Sequence, residues 1–146
     1  MSKVLKLEQN LKRFNLQATL DSILREFESV IIDLNTENQL FERGIDANGE
    51  ALPMPYAPFT VDYKQAVGQP TDRITLRDTG EFHSGFFVRY KNKEFSLWSS
   101  DGKTEELIDR WGEDIFGLTE ESLNELIWGY IYPELMRIIT KEVFEL

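Results

Sequence analysis

Residues 44–59 hold three prolines and two glycines, so neither a helix nor a strand can run through them. Proline removes a backbone donor, and glycine favours turns. This interruption divides the chain into a helical part before it and a mixed part after it. Asn48-Gly49 signals a tight turn, and Leu52, Met54, Tyr56 and Phe59 give the loop enough apolar surface to lie on something.

Before the loop, apolar residues recur at Leu20, Ile23, Leu24, Phe27, Val30, Ile31 and Leu34. Steps of three and four residues mark one face of a helix. The pattern predicts a long N-terminal helix that begins near Leu5, bends near Asn15, and continues to Arg43 with Gly44 as its C-cap. After the loop, Thr60 is expected to N-cap a short helix over 61–67, stopped by Gly68 and Pro70. Residues 73–77 alternate as a strand does. Thr79 is expected to N-cap one or two helical turns between Gly80 and Gly85. Residues 86–91 and 94–99, joined by Asn92-Lys93, read as a β-hairpin and bring the expected strands to three.

A helix over 103–111 carries Leu107, Ile108 and Trp111 on one side. Thr119 is expected to cap the final helix, with Glu120 and Glu121 in its first turn and Pro133 kinking it. Its apolar stripe includes Leu126, Ile127, Tyr130, Ile131 and Leu135. The fold class is therefore α+β: long N- and C-terminal helices around a small antiparallel β-sheet with a proline-rich loop. At 146 residues the chain suits a single domain over 1–146, divided into a helical region (1–43), a loop-and-sheet region (44–100) and an acidic helical region (101–146).

Composition removes several function classes. The chain has no cysteine, which excludes disulfides and thiolate chemistry, and its one histidine, His83, makes a zinc site improbable. Neighbouring positions on a helix point about 100° apart, so His83 and Ser84 do not form a base and nucleophile by adjacency. Asp46–Glu50 is a poor calcium loop, because its sixth position is Ala51 and its twelfth Ala57. There is no phosphate loop, and 26 acidic residues make any nominated carboxylate pair uninformative. No catalytic residue, cofactor or metal is expected.

The net charge is -10, and residues 101–146 carry 12 acids against 4 bases. Tight nucleic-acid binding needs the opposite sign. The N-terminus is too polar for a signal-peptide core, and residues 126–139 are too short and charged to span a membrane, so a soluble protein is expected.

One constellation stands out: Phe41 to Gly44, Asn48-Gly49, the proline-rich 52–58, Thr60 with Lys64, then Leu76, Asp78, Thr79, Gly80 and Phe82. Over about residues 41–90 this order resembles the tail-completion, or virion-morphogenesis, proteins of tailed phages. Those carry a Thr-x-x-x-Lys pattern followed by Leu-x-Asp-Thr-Gly-x-Leu-x-x-Ser. Phe82 stands where that pattern has Leu, Gly85 where it has Ser, and the acidic final helix has no counterpart.

The resemblance implies a non-enzymatic virion structural protein, assembled in the host cytoplasm as a ring at the head-tail connector, neck or tail end. Its partners would be further copies of itself and neighbouring portal, connector or tail proteins. Leu52, Met54, Tyr56, Phe59, Thr79, Gly80, Phe82 and Ile131 are the structural and interface candidates. If the ring encloses a DNA channel, an acidic lining would repel phosphates. Two alternatives are an acidic binding protein, such as a DNA mimic that inhibits a host nucleic-acid enzyme, and a small hydrolase, for which no acid pair is placed.

Overall fold

The computed structural model describes residues 2–54, 56–91 and 93–146; the proline-rich loop's Pro55 and the hairpin's Asn92 lie outside them. The chain is mixed helix and sheet, as its periodicities require. Four helical pieces open it: α1 (Lys3–Arg13), α2 (Leu16–Glu26), α3 (Glu28–Asp33) and a π-helical stretch (Leu34–Arg43). After the loop come α4 (Pro58–Ala66), α5 (Glu81–Ser84), β1 (Phe86–Lys91), β2 (Glu94–Ser99) and α6 (Thr104–Trp111). A short 3-10 turn (Glu113–Ile115) leads to α7 (Glu120–Leu126), a π-helical turn (Ile127–Ile131) and α8 (Tyr132–Glu142).

The N-terminal helix breaks where the sequence indicates. Phe14 and Asn15 are extended, and the Asn15 side chain accepts the Ala18 N–H at 3.0 Å as a new N-cap. Gly44 ends the helical region at φ 61, and a Cβ there would lie 2.8 Å from Arg73 Cβ and 2.9 Å from the Ile74 carbonyl. Only glycine fits both the conformation and the space.

Within the π-helical stretch the Thr36 hydroxyl donates to the Ile32 carbonyl at 2.9 Å. The stretch also buries Asn35 and Gln39 completely. Asn35 Nδ2 donates to the Ile115 carbonyl and its Oδ1 accepts the Gly117 N–H, at 3.0 and 2.8 Å. Gln39 repeats the motif, donating to the Gly117 carbonyl at 2.8 Å and accepting the Thr119 N–H at 2.9 Å. Two side chains thus satisfy four backbone groups of a segment that has no strand partner.

The sheet has two strands, not three. β1 and β2 are antiparallel with Phe86 opposite Ser99 and Lys91 opposite Glu94. Phe86 and Val88 face inward with Leu97, and α3 covers them. The Val88 N–H is taken by Glu28 Oε1 at 3.3 Å, which closes part of the free edge of β1. A two-stranded ribbon is marginal alone, so this cover is required.

Residues 73–77 do not pair as the third strand. Leu76 has φ 55, and the backbone groups around it are engaged elsewhere: the Thr75 N–H by the Tyr56 hydroxyl at 2.9 Å and the Arg77 carbonyl by Lys64 Nζ at 3.0 Å. Two caps also differ from expectation. The helix α4 starts three residues earlier than its Thr60 cap predicts, because Pro58 occupies its first turn, where a missing N–H costs nothing. The cap of α5 is Gly80 at φ 91, with Thr79 Oγ1 only 3.4 Å from the Glu81 nitrogen.

At the C-terminal end, Thr119 caps α7 as expected, accepting the Ser122 N–H at 3.1 Å. Pro133 is accommodated by a change of ladder. The π-helical turn precedes it, and the Tyr132 N–H bonds the Ile127 carbonyl, five residues back. The core gathers Ile31, Leu34, Leu40, Leu52, Ile74, Phe82, Phe86, Ile115 and Leu126 between the helices and the hairpin.

Asn35→Ala, which orphans the Ile115 carbonyl and the Gly117 N–H, should cost roughly 1–3 kcal/mol in urea unfolding. Gln39→Ala should cost a similar amount, and the double variant should deviate from additivity because both side chains hold one segment. At the start of α5, Gly80→Ala should cost about 1–2 kcal/mol through its left-handed backbone. Thr79→Ala should then cost less than about 0.5 kcal/mol, the size usual for an exposed substitution away from a true cap.

Candidate functional site

Thr60 and Lys64 of α4 and the segment from Leu76 to Phe82 meet at one place. A cleft of about 570 Å³ lies between α4, residues 74–82 and α6, and it is lined by Tyr56, Phe59, Lys64, Leu76, Thr79 to Phe82 and Trp111 among others. The loop reaches it through an ordered turn: the Asp46 carboxylate accepts the Asn48 and Glu50 N–H groups at 2.9 and 3.0 Å. The turn is pinned by Asn48 Nδ2, which donates to Asp114 Oδ2 at 2.9 Å. No group of three or more metal-ligating side chains exists among the described residues.

Lys64 is the chemical centre of the cleft wall. It sits only 6% exposed, with its ammonium donating to Gln69 Oε1 and the Arg77 carbonyl and lying 4.9 Å from the centroid of the Tyr56 ring. Burial lowers its pKa, and the Asp78 carboxylate partly opposes that shift. Gln69 extends the clasp by donating to the Asp78 carbonyl at 2.8 Å. A lysine used this way fixes the path of residues 77–78 over α4.

His83 stands behind the cleft floor rather than in it. It is 7% exposed, Nε2 lies 2.9 Å from the Thr75 carbonyl, and Nδ1 has no partner among the described residues. Its ring packs edge-on to Phe82 and Phe86, and burial depresses its pKa to about 4. The tautomer that bonds Thr75 carries its proton on Nε2. Ser84 points its hydroxyl to the Glu81 carbonyl at 3.1 Å, so it is not activated by His83.

No family model, curated protein or solved structure matches this chain. The site must therefore be read from its own geometry. Tyr56, Phe59, Thr79, Gly80 and Phe82 all line the cleft. Leu52 lies in the core instead, and Met54 is exposed near the loop's end. Ile131 packs against the core from the final helix, while Trp128, Tyr132 and Met136 of that helix are exposed. Phe59 is 82% exposed and Tyr63 beside it on α4 is 45% exposed, so the cleft's mouth is aromatic.

Sequence reasoning missed the third wall, which Leu107, Arg110 and Trp111 contribute from α6. Leu107 and Trp111 belong to the helical stripe visible in the sequence, but nothing local says which element it faces. Gly85 is closely packed: a Cβ there would meet Ser99 Oγ at 2.7 Å and the Asp101 nitrogen at 3.1 Å. Ser99 is held by its bond to the Phe82 carbonyl at 2.8 Å, so the position has no room for serine.

The depressed histidine pKa gives a signed expectation. The unfolded chain binds a proton at His83 below about pH 6.5 and the folded chain only near 4, so the contribution is complete above 6.5 and lost as pH falls through 4. The loss should reach roughly 3 kcal/mol. Urea unfolding from pH 7 to 4 should show a shallower pH slope for His83→Gln than for the parent chain.

Proposed function

We propose that this chain is a non-enzymatic structural subunit of a tailed-phage particle, working in a connector, neck or tail-completion ring. What carries the reading is the cleft: the residues that follow the tail-completion pattern, separated along the chain, converge on one surface feature with an aromatic mouth. An enzyme cleft would offer converging titratable groups free to act. Here Lys64 is committed to backbone and amide acceptors, and His83 faces the core.

The exposed Phe59, Tyr63 and Met54 supply surface for a neighbouring virion protein, and aromatic residues and methionine are the types enriched where proteins meet. Ring formation needs contacts in which one patch meets a different patch on the next copy. The acidic stretch 101–146 is compatible with a DNA channel, since like charge keeps the duplex from adhering.

The acidic-inhibitor reading draws on that same charge and gives the opposite result in one test. Mass spectrometry and imaging of purified particles should find the protein in several copies per particle. Phe59→Asp should leave the melting temperature nearly unchanged, because the side chain is exposed, and should reduce incorporation into particles. Absence from particles, with salt-sensitive binding to a nucleic-acid enzyme, would establish the inhibitor instead.

A further inference from the structure

The first helix is built for a partner that its own chain does not supply. α1 carries Val4, Leu7 and Leu11 at three- and four-residue steps, with Phe14 following at its C-cap; Leu7 and Phe14 are half-buried, but none of the helix is fully buried, and Val4 and Leu11 are 76% and 54% exposed. At 11 residues it is shorter than the roughly 12–15 at which an isolated helix becomes stable in water. Its visible side-chain ties to the rest of the fold are polar: Asn10 Nδ2 to the Val143 carbonyl at 3.1 Å and Lys6 Nζ to the Leu146 carbonyl at 3.2 Å. Break-point residues Phe14 and Asn15 leave it set off from α2.

Its charge is opposite to that of the chain. Lys3, Lys6, Lys12 and Arg13 stand against Glu8 alone, a local +3 in a protein of net -10. The complementary surface lies on the final helix, where Glu121, Glu125, Trp128, Tyr132 and Met136 are all exposed and follow one another in three- and four-residue steps. Trp128 and Tyr132 rest on each other with ring centroids 5.3 Å apart, a preformed aromatic ledge. The stripe is acidic at its start and apolar at its end.

We propose that α1 docks, in antiparallel sense, on the Glu121-to-Met136 stripe of a second copy of this chain. Antiparallel packing sets Lys12 and Arg13 against Glu121 and Glu125, exchanging the exposed pairs Lys12–Glu8 and Arg43–Glu121, which stand at 2.9 and 3.0 Å within the chain, and sets Val4 against Tyr132 and Met136. The spans are close, since eight residues of helix separate Lys12 from Val4, about 12 Å, and seven separate Glu125 from Tyr132, about 11 Å. The contact is between copies because α1 meets its own chain at residues 143–146, roughly 20 Å along the helix axis from Trp128. It joins two different patches, so repeated copies propagate head to tail.

An anionic membrane is the other surface a basic amphipathic helix suits. The chain itself favours the protein partner, because it carries both the complementary acids and the aromatic ledge. One short helix buries far less than the roughly 800 Å² per partner of a stable complex, so the contact is weak singly and gains from ring closure. The inference deepens the assembly reading and rests on it for the setting in which copies meet.

The test places the photo-cross-linker p-benzoylphenylalanine at Leu11 in the full chain, with isotope-labelled and unlabelled copies mixed so that adducts between copies are distinguished. Adducts should form between copies on residues 121–136, in concentrated protein and in particles. Lys12→Glu with Arg13→Glu should lower their yield roughly fivefold, the size expected for two exposed ion pairs. Glu121→Lys with Glu125→Lys should restore it. Circular dichroism on each variant checks that the fold is kept. Adducts confined to the same copy, to another virion protein, or to phosphatidylserine vesicles would overturn the inference. Particles containing the protein without copy-to-copy adducts would overturn it while leaving the assembly reading intact. Absence from particles with such adducts in solution would do the reverse.

Discussion

Two buried amides hold the molecule together. Asn35 and Gln39, on a helix that ends the N-terminal region, bond both faces of the backbone from Ile115 to Thr119. Both side chains are completely buried; their bonds to Ile115 and Thr119 are shielded from competing water and those to Gly117 partly so, and losing the buried ones would strand a polar group in the interior. A segment without a strand partner becomes as fixed as a ladder strand, and the C-terminal helix inherits its starting point from it, since Thr119 is both the last bonded residue and the N-cap.

The cleft depends on the same segment at one remove. Phe116, held between the two clasped carbonyls, lies 5.8 Å from Phe82, 5.1 Å from Phe86 and 5.0 Å from Trp98 in ring-centroid distance. These aromatics couple α5, the hairpin and the clasp into one packed unit whose outer side is the cleft floor. Arg77 adds a lateral tie, its guanidinium 4.6 Å from the Phe41 ring centroid and 3.6 Å from Glu37. The site's shape thus rests on a rigid aromatic interior, while its mouth, Phe59 and Tyr63, stays open.

The molecule also divides its surfaces unevenly. Apolar residues are left exposed on α1, at the cleft's mouth and along one stripe of the final helix, although a chain of this size has a full core of its own. Scattered exposed apolar residues are ordinary, but residues aligned in helical steps beside opposite charges are the composition of a contact surface. Among the described residues no helix is long and apolar enough to cross a membrane, so that use of the stripes is excluded for them.

Features set by near neighbours were fixed by the sequence alone: the Asn15 break, the Gly44 stop, the 86–91 and 94–99 hairpin and the Thr119 cap. Each depends on a side chain within about four residues of the backbone it affects, so the local pattern is sufficient. Only the tertiary structure decided that residues 73–77 would forgo the sheet, since Tyr56 and Lys64 reach in to take their backbone groups. Only it turned Lys64 into a buried clasp and showed which exposed stripe the final helix keeps. The bonds of Asn35 and Gln39 join residues 78 to 82 positions apart, and two polar letters on a helical stripe carry no sign of what lies across the core.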